Sequence, residues 1–216
     1  MSDEVLNEAG RNVAAVRLPG FFDAVPAIVV VDPLAALLGA AEGGHLEYRY
    51  ADAVRLAGHS CPTVAGAWLM TRKALAHLYL ADLPQRGGLQ VALRQPLEEG
   101  VAGVVGSVAG LVTGAAGDGG FKGLAGRHAR RDLLRFGVPM AGELRVTRLD
   151  TGAAVELVHH AQAVPRPPGL TELMREALAP QAGHAAREAF GAAWQGWVRT
   201  MLIDHADDPA LIAVVA

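Results

Sequence analysis

The chain has a single cysteine, Cys61, in 216 residues. One cysteine excludes an intramolecular disulfide framework. It equally excludes a structural zinc site built on two or more cysteines of one chain. Any metal held here must combine Cys61 with His, Asp, Glu, backbone or a second copy of the chain, and a reducing compartment is the simpler expectation. Charge is sparse as well. Charged residues make up 19%, the formal net charge is −3 and the pI is about 6.2, which provides no basic surface for a polyanion. The one arginine cluster, RHARRDLLR from Arg127 to Arg135, reads as a solvated face, and no nucleic-acid partner is expected. Long hydrophobic runs are also lacking. Gly, Pro or Asp breaks each apolar stretch well short of the ~20 residues of a membrane span. The opening MSDEVLNEAG is acidic and polar, without the basic-then-apolar order of a secretory signal. The expectation is a cytoplasmic protein with no membrane partner. What the chain does have is a 51% hydrophobic content, enough for one sizeable core.

The pattern along the chain predicts mixed elements. AIVVVDP (Ala27 to Pro33) is a β-branched run closed by Asp-Pro, a buried strand and turn. LAALLGAAEGG reads as a short helix stopped by glycines. HLEYRYAD alternates until Ala51 and fits either a strand or a loop into the next helix. TVAGAWLMTRKALAHLYL places Val64, Trp68, Leu69, Ala74, Leu75 and Leu78 at helical spacing, which makes it the central buried helix. Ser60 or Thr63 can cap its start, and Pro62 suits the first turn. Gly66 is expected to admit a close approach of another backbone. LQVALRQP alternates as a strand, and the next segment is a glycine-containing helix packed on a neighbour, ending in the permissive loop TGAAGDGGFKG (Thr113 to Gly123). That loop does not match a phosphate loop around Lys122. ELRVTRLDTGAAVELVHHA reads as an antiparallel hairpin turning at Asp150-Thr151-Gly152. AVPRPPG (Ala163 to Gly169) then acts as a linker into a helical tail. In that tail Phe190, Trp194, Trp197, Val198 and Met201 form one stripe, either core contact or an interface between protomers.

The chemistry concentrates in LAGHSCPTVAG (Leu56 to Gly66). His59 and Cys61 are two positions apart, so they converge only on a turn or an extended segment, and Gly58 and Pro62 favour one. A helix start favours negative charge on Cys61. A thiolate beside an imidazole is a ligand pair for zinc or another late transition metal, and also the pair of cysteine nucleophilic catalysis. The plain alternative is a buried inert cysteine beside a surface histidine. Further candidates are Asp118 and Lys122 in the glycine-rich loop, Asp52, His128, His159 or His160 at the hairpin's end, His184 and His205. Asp118 would serve as ligand or general base, and Lys122 would neutralise an anionic substrate; for both the alternative is a polar loop residue. Lys73 and His77 read as the outer face of the central helix. Cys-Pro also admits a different reading, in which Cys61 or His59 is an axial ligand of haem.

The turn GHSCPTVAG leading into a helix, then a strand, then a small-residue helix ending in a Thr-Gly loop with GGFKG, resembles the formylmethanofuran dehydrogenase E-like family. Gly58, His59, Cys61, Pro62 and Gly66 match its His-Gly-His-x-Cys-Pro turn and downstream glycine. Thr113, Gly114, Lys122 and Gly123 match its Thr-Gly-Cys-Thr and Gly-Lys-Gly segments. The resemblance covers Ala51 to Leu149. It departs at Ala57, where the family has a first histidine, and at Ala115 or Ala116, where it has a cysteine. The C-terminal zinc-finger cysteines of many members are absent. The resemblance implies an α+β core, a homodimer and a transition-metal site at the His-x-Cys turn.

The sequence thus predicts an α+β fold with a mixed or antiparallel sheet packed against a central helix, as a core over 1–162 and a helical C-terminal extension over 163–216. The expected function is metal binding, zinc foremost, at His59 and Cys61, with Asp118 and Lys122 closing the site on a small-molecule ligand or anionic substrate. A haem or metal carrier and a non-catalytic interaction protein are the competing readings.

Overall fold

The computed structural model describes residues 16–215, and of the residues before them only the backbone pairing of β1 (Val5–Leu6) with β2 (Asn12–Val13). The fold is α+β, with a helical C-terminal region. Strand β3 (Ile28–Val31) pairs antiparallel with β4 (His45–Tyr48), and α1 (Pro33–Leu37) lies between them. Helix α2 (Tyr50–Ala57) leads through a tight turn into α3 (Pro62–Tyr79). Strand β5 (Leu89–Leu93) and α4 (Ala102–Thr113) follow. The main sheet is completed by β6 (Leu134–Arg135), β7 (Leu144–Arg148), β8 (Ala154–His159) and, after helices α5 (Leu170–Ala177) and α6 (His184–Arg199), by β9 (Ile212–Val215). Its order is β6-β5-β7-β8-β9, with β5–β6 parallel and the remaining pairs antiparallel.

The register explains the layering. Leu89, Val91 and Leu93 of β5 align with Arg148, Val146 and Leu144 of β7, so alternate side chains share one face. Leu144, Val146, Val155 and Leu157 are all buried there, and α3 packs across them. α3 is buried nearly all round, with Val64, Ala65, Trp68, Leu69, Ala74 and Leu75 in the core. α4 lies beside it and buries Val105, Val108, Ala109 and Val112. Burying apolar surface contributes about 25 cal/mol per Å², and α3 collects it from the sheet, α2 and α4 alike.

Several expectations are refined. The HLEYRYAD stretch is both a strand and a helix, because the Asp52 carboxylate accepts the Arg49 N–H at 2.8 Å and starts α2 at Tyr50. Gly58, at φ 74, ends α2 in the left-handed region. Cys61, rather than Ser60 or Thr63, occupies the N-cap of α3, and its side chain makes no cap bond. The group that approaches Gly66 is the imidazole of His159 rather than another backbone, and a Cβ at Gly66 would overlap that ring. Strand β9 is not predicted by the sequence. IAVV is short and follows a helical tail, so its pattern carries no hairpin signal. Lys73 is also not a free outer residue, since its ammonium donates to Ile212 O of β9 at 2.6 Å.

Candidate functional site

The His59–Cys61 turn is the corner between α2 and α3. Gly58 reverses the chain after α2, and Cys61 has extended backbone (φ −151, ψ 170) before Pro62 opens α3. On extended backbone, neighbouring side chains alternate sides. Ser60 turns inward, where its hydroxyl lies 3.0 Å from the Tyr50 hydroxyl. His59 sits at the bend before Ser60, and Cys61 on the extended residue after it. His59 is exposed and Cys61 is half-buried.

The histidine is held in one tautomer. Its Nδ1 lies 2.9 Å from Ala57 O, and a carbonyl only accepts, so Nδ1 carries the proton and Nε2 keeps its lone pair. A metal-ligating histidine has this same arrangement, with its other ring N–H given to a carbonyl or carboxylate. Ala57, where the resembling family has another histidine, here contributes its carbonyl.

The peptide between the two candidate ligands is clamped from the far end of the chain. Trp194 Nε1–H and Gln195 Nε2–H of α6 both donate to Ser60 O, at 3.0 and 3.1 Å. Tyr50 is fully buried, and burial pushes its hydroxyl well above the ordinary tyrosine range, so it remains a neutral hydrogen-bonding anchor for Ser60. Trp194 stacks edge-on against Trp197, with ring centroids 5.6 Å apart. The indole of Trp197 in turn donates to Val164 O at 3.0 Å. The tryptophan stripe of the tail thus makes core contact, and half of it supports the turn.

An apolar groove of about 180 Å³ adjoins the turn, lined by Leu56 and Ala57 of α2 and by Gly103, Val104, Ser107 and Val108 of α4. Asp118 and Lys122 do not reach this side by the same route. They follow the C-terminal end of α4, while Leu56 and Ala57 line the groove with residues of its first half. Both side chains are exposed, and the Asp118 carboxylate accepts the Gly119 N–H at 2.8 Å. Among the described residues no group of three or more His, Cys, Asp or Glu side chains comes together.

The other candidates have local partners. Asp52 is bound by Arg55 at 2.8 Å. His184 lies 3.0 Å from Glu188, and His205 lies 2.8 Å from Asp208. His160 faces Gln162 at 3.5 Å, and His77 is exposed on α3. His128 sits in the loop after α4 with φ 60. His159 alone points inward, against Gly66. Burial, with the neighbouring His160 second, pushes its imidazole down to about 4, and its Nε2 is buried without a partner among the described residues.

Two groups of residues escape sequence reasoning. Tyr50, Trp194 and Gln195 position the turn, and of these only the tryptophan stripe signals anything in sequence. Asp32, Arg86 and Arg130 form a buried charged node at the end of β3. Asp32 is legible only as the Asp-Pro turn, and the two arginines lie in unrelated loops. No family model matches the chain, and no curated protein matches it. No helix among the described residues is long and apolar enough to cross a membrane.

Proposed function

We propose that this chain is a metal-binding protein of the formylmethanofuran dehydrogenase E-like type, with His59 Nε2 and Cys61 Sγ as its ligands and zinc as the preferred ion. The observation that carries this reading is the Nδ1–H bond from the exposed His59 to Ala57 O, which leaves Nε2 as the free ring nitrogen two residues before the chain's single cysteine. An imidazole and a thiolate are the donor types that zinc accepts. The thiol ligand suits a reducing compartment such as the cytoplasm.

Two protein ligands are fewer than the three of an open catalytic zinc site. The remaining positions are therefore left to a small anionic ligand, to water or to a second copy of the chain. Asp118 and Lys122 belong to the reading as the groups of the glycine-rich loop that would close the site on such a ligand. A bound zinc supplies Lewis acidity for a substrate oxygen. The chain's own residues hold the pair in place: Tyr50, Trp194 and Gln195 fix the Ser60 peptide, and Ala57 O fixes the imidazole. Haem is the weaker reading. The groove beside the turn measures about 180 Å³, below the about 300–1,000 Å³ of pockets that enclose larger organic ligands.

Elemental analysis of the purified wild type, Cys61→Ala and His59→Ala proteins tests this, together with a visible spectrum and a size measurement. Stoichiometric zinc in the wild type and its loss in both variants is the expected result. Zinc retained in both variants overturns the ligand assignment. A Soret band that disappears in Cys61→Ala favours haem.

A further inference from the structure

Asp32 and Arg130 are 3% and 6% exposed, among the few charged side chains buried in the described fold. The Asp32 carboxylate accepts from the backbone N–H groups of Leu34 and Ala35, at 2.9 and 3.2 Å, which caps α1. It also accepts from Arg86 Nη1 at 2.9 Å and Arg130 Nη2 at 2.6 Å. Burial alone would raise this carboxyl, but the hydrogen bonds from Arg86 and the backbone, with the charge of Arg130, outweigh it and hold it below the usual range.

The charge does not balance. Two guanidinium groups face one carboxylate, and no other carboxylate pairs with either arginine among the described residues. The Tyr48 hydroxyl stays neutral, because burial raises it. Leu111 O, near the end of α4, accepts from Arg86 Nη2 at 3.2 Å and supplies only a partial negative charge. Three N–H-bearing atoms then remain buried without a partner: Arg86 Nε, Arg130 Nε and Arg130 Nη1. The two side chains converge. The free Arg130 Nη1, and Arg86 Nη1 with its bond to Asp32, lie 2.8 and 3.1 Å from the point where a Cβ on Gly114 would sit. Gly114 and Gly87, at φ 74 and 79, leave space for the guanidinium groups that any side chain would take.

An unbalanced buried cation with free donors calls for an anion. We infer that the Arg86–Arg130 node binds one small inorganic monoanion of halide size, chloride in ordinary buffers, on the free N–H groups of the two arginines. The site is independent of the His59–Cys61 turn, and its occupant ties the segment between α4 and β6 that carries Arg130 to the end of β3.

The test uses the full-length wild-type protein. Its melting temperature is measured in sodium chloride and in sodium gluconate at equal ionic strength, and the chloride-35 line width is measured with and without excess bromide. A crystal grown in bromide locates the ion by anomalous scattering. The expected results are a chloride-specific rise in melting temperature that grows with the logarithm of concentration, a broadened chloride line that bromide narrows, and a bromide peak beside Arg130. Arg130→Gln should weaken the chloride effect at least tenfold. Should that variant not fold, the wild-type bromide map decides alone. Equal melting in chloride and gluconate, with no bromide peak at Arg130, overturns the proposal and leaves an ordered water on these donors.

Discussion

The turn at His59 and Cys61 and the node at Asp32 are both polar, yet they are fixed in opposite ways. At the turn the backbone is clamped, through Ser60 O and the Tyr50 hydroxyl, and the two candidate ligands remain without side-chain partners. At the node the side chains clamp one another, with Asp32 and Arg130 shut away from water and Arg86 partly so. The difference separates two uses of polarity. On the proposed reading, groups that bind a ligand are held by what lies behind them, whereas groups that join segments are consumed by their own contacts. The node departs from that rule only in its surplus cation.

The largest effect expected from breaking this contrast is at the node. Asp32→Ala removes a helix cap and leaves the buried Arg130 and the partly buried Arg86 without their carboxylate, so urea denaturation should show a loss of about 3–5 kcal/mol. Zinc binding per folded molecule should be unchanged.

Acid should come next. His159 is pushed from 6.5 to about 4 by burial. Between those values the unfolded chain takes up a proton that the folded chain refuses. Stability should therefore fall as pH drops through that window, by up to about 3 kcal/mol, and level off below it. Melts from pH 7 to pH 4 read this directly, and His159→Phe should flatten the dependence.

The clamp behind the turn is smaller. Trp194→Phe combined with Gln195→Leu leaves the Ser60 carbonyl without its donors and should cost about 1–3 kcal/mol. Zinc affinity, followed by competition with a chromophoric chelator, should weaken in parallel. An unchanged affinity would mean that the clamp serves the fold alone.

Cys61→Ala should affect stability least, within about 1 kcal/mol, since the thiol makes no cap bond. Its effect should fall on zinc content. A large loss of stability would instead mark Cys61 as a packing residue.

The legible parts of the chain are those whose signal is local. The helix opened by Pro62, the alternation in LQVAL and the hairpin turning at Gly152 appear as expected, and the β-branched run before Asp32 is a strand, though with Val29 exposed rather than buried. Helix α2 is hidden because alternation in HLEYRYAD runs directly into a cap formed by Asp52. Strand β9 is hidden because only β8 makes it a strand. The candidate ligands can be named from residue type and spacing, but the groups that hold them cannot. Trp194 and Gln195 meet Ser60 across 134 and 135 positions of sequence, and Arg130 meets Asp32 across 98. No local pattern reports such a meeting.

That long reach has a consequence for synthesis. Ribosomes add about 5–20 residues per second, so on the order of ten seconds separate the emergence of Cys61 from that of Trp194. Throughout that interval the thiol lies on a corner whose rear support has not yet been made. Strand β9 comes later still. A premature stop in the tail before Trp194 would release a chain with its cysteine present and its clamp missing, so that the corner at Cys61 lacks the support it has in the finished protein.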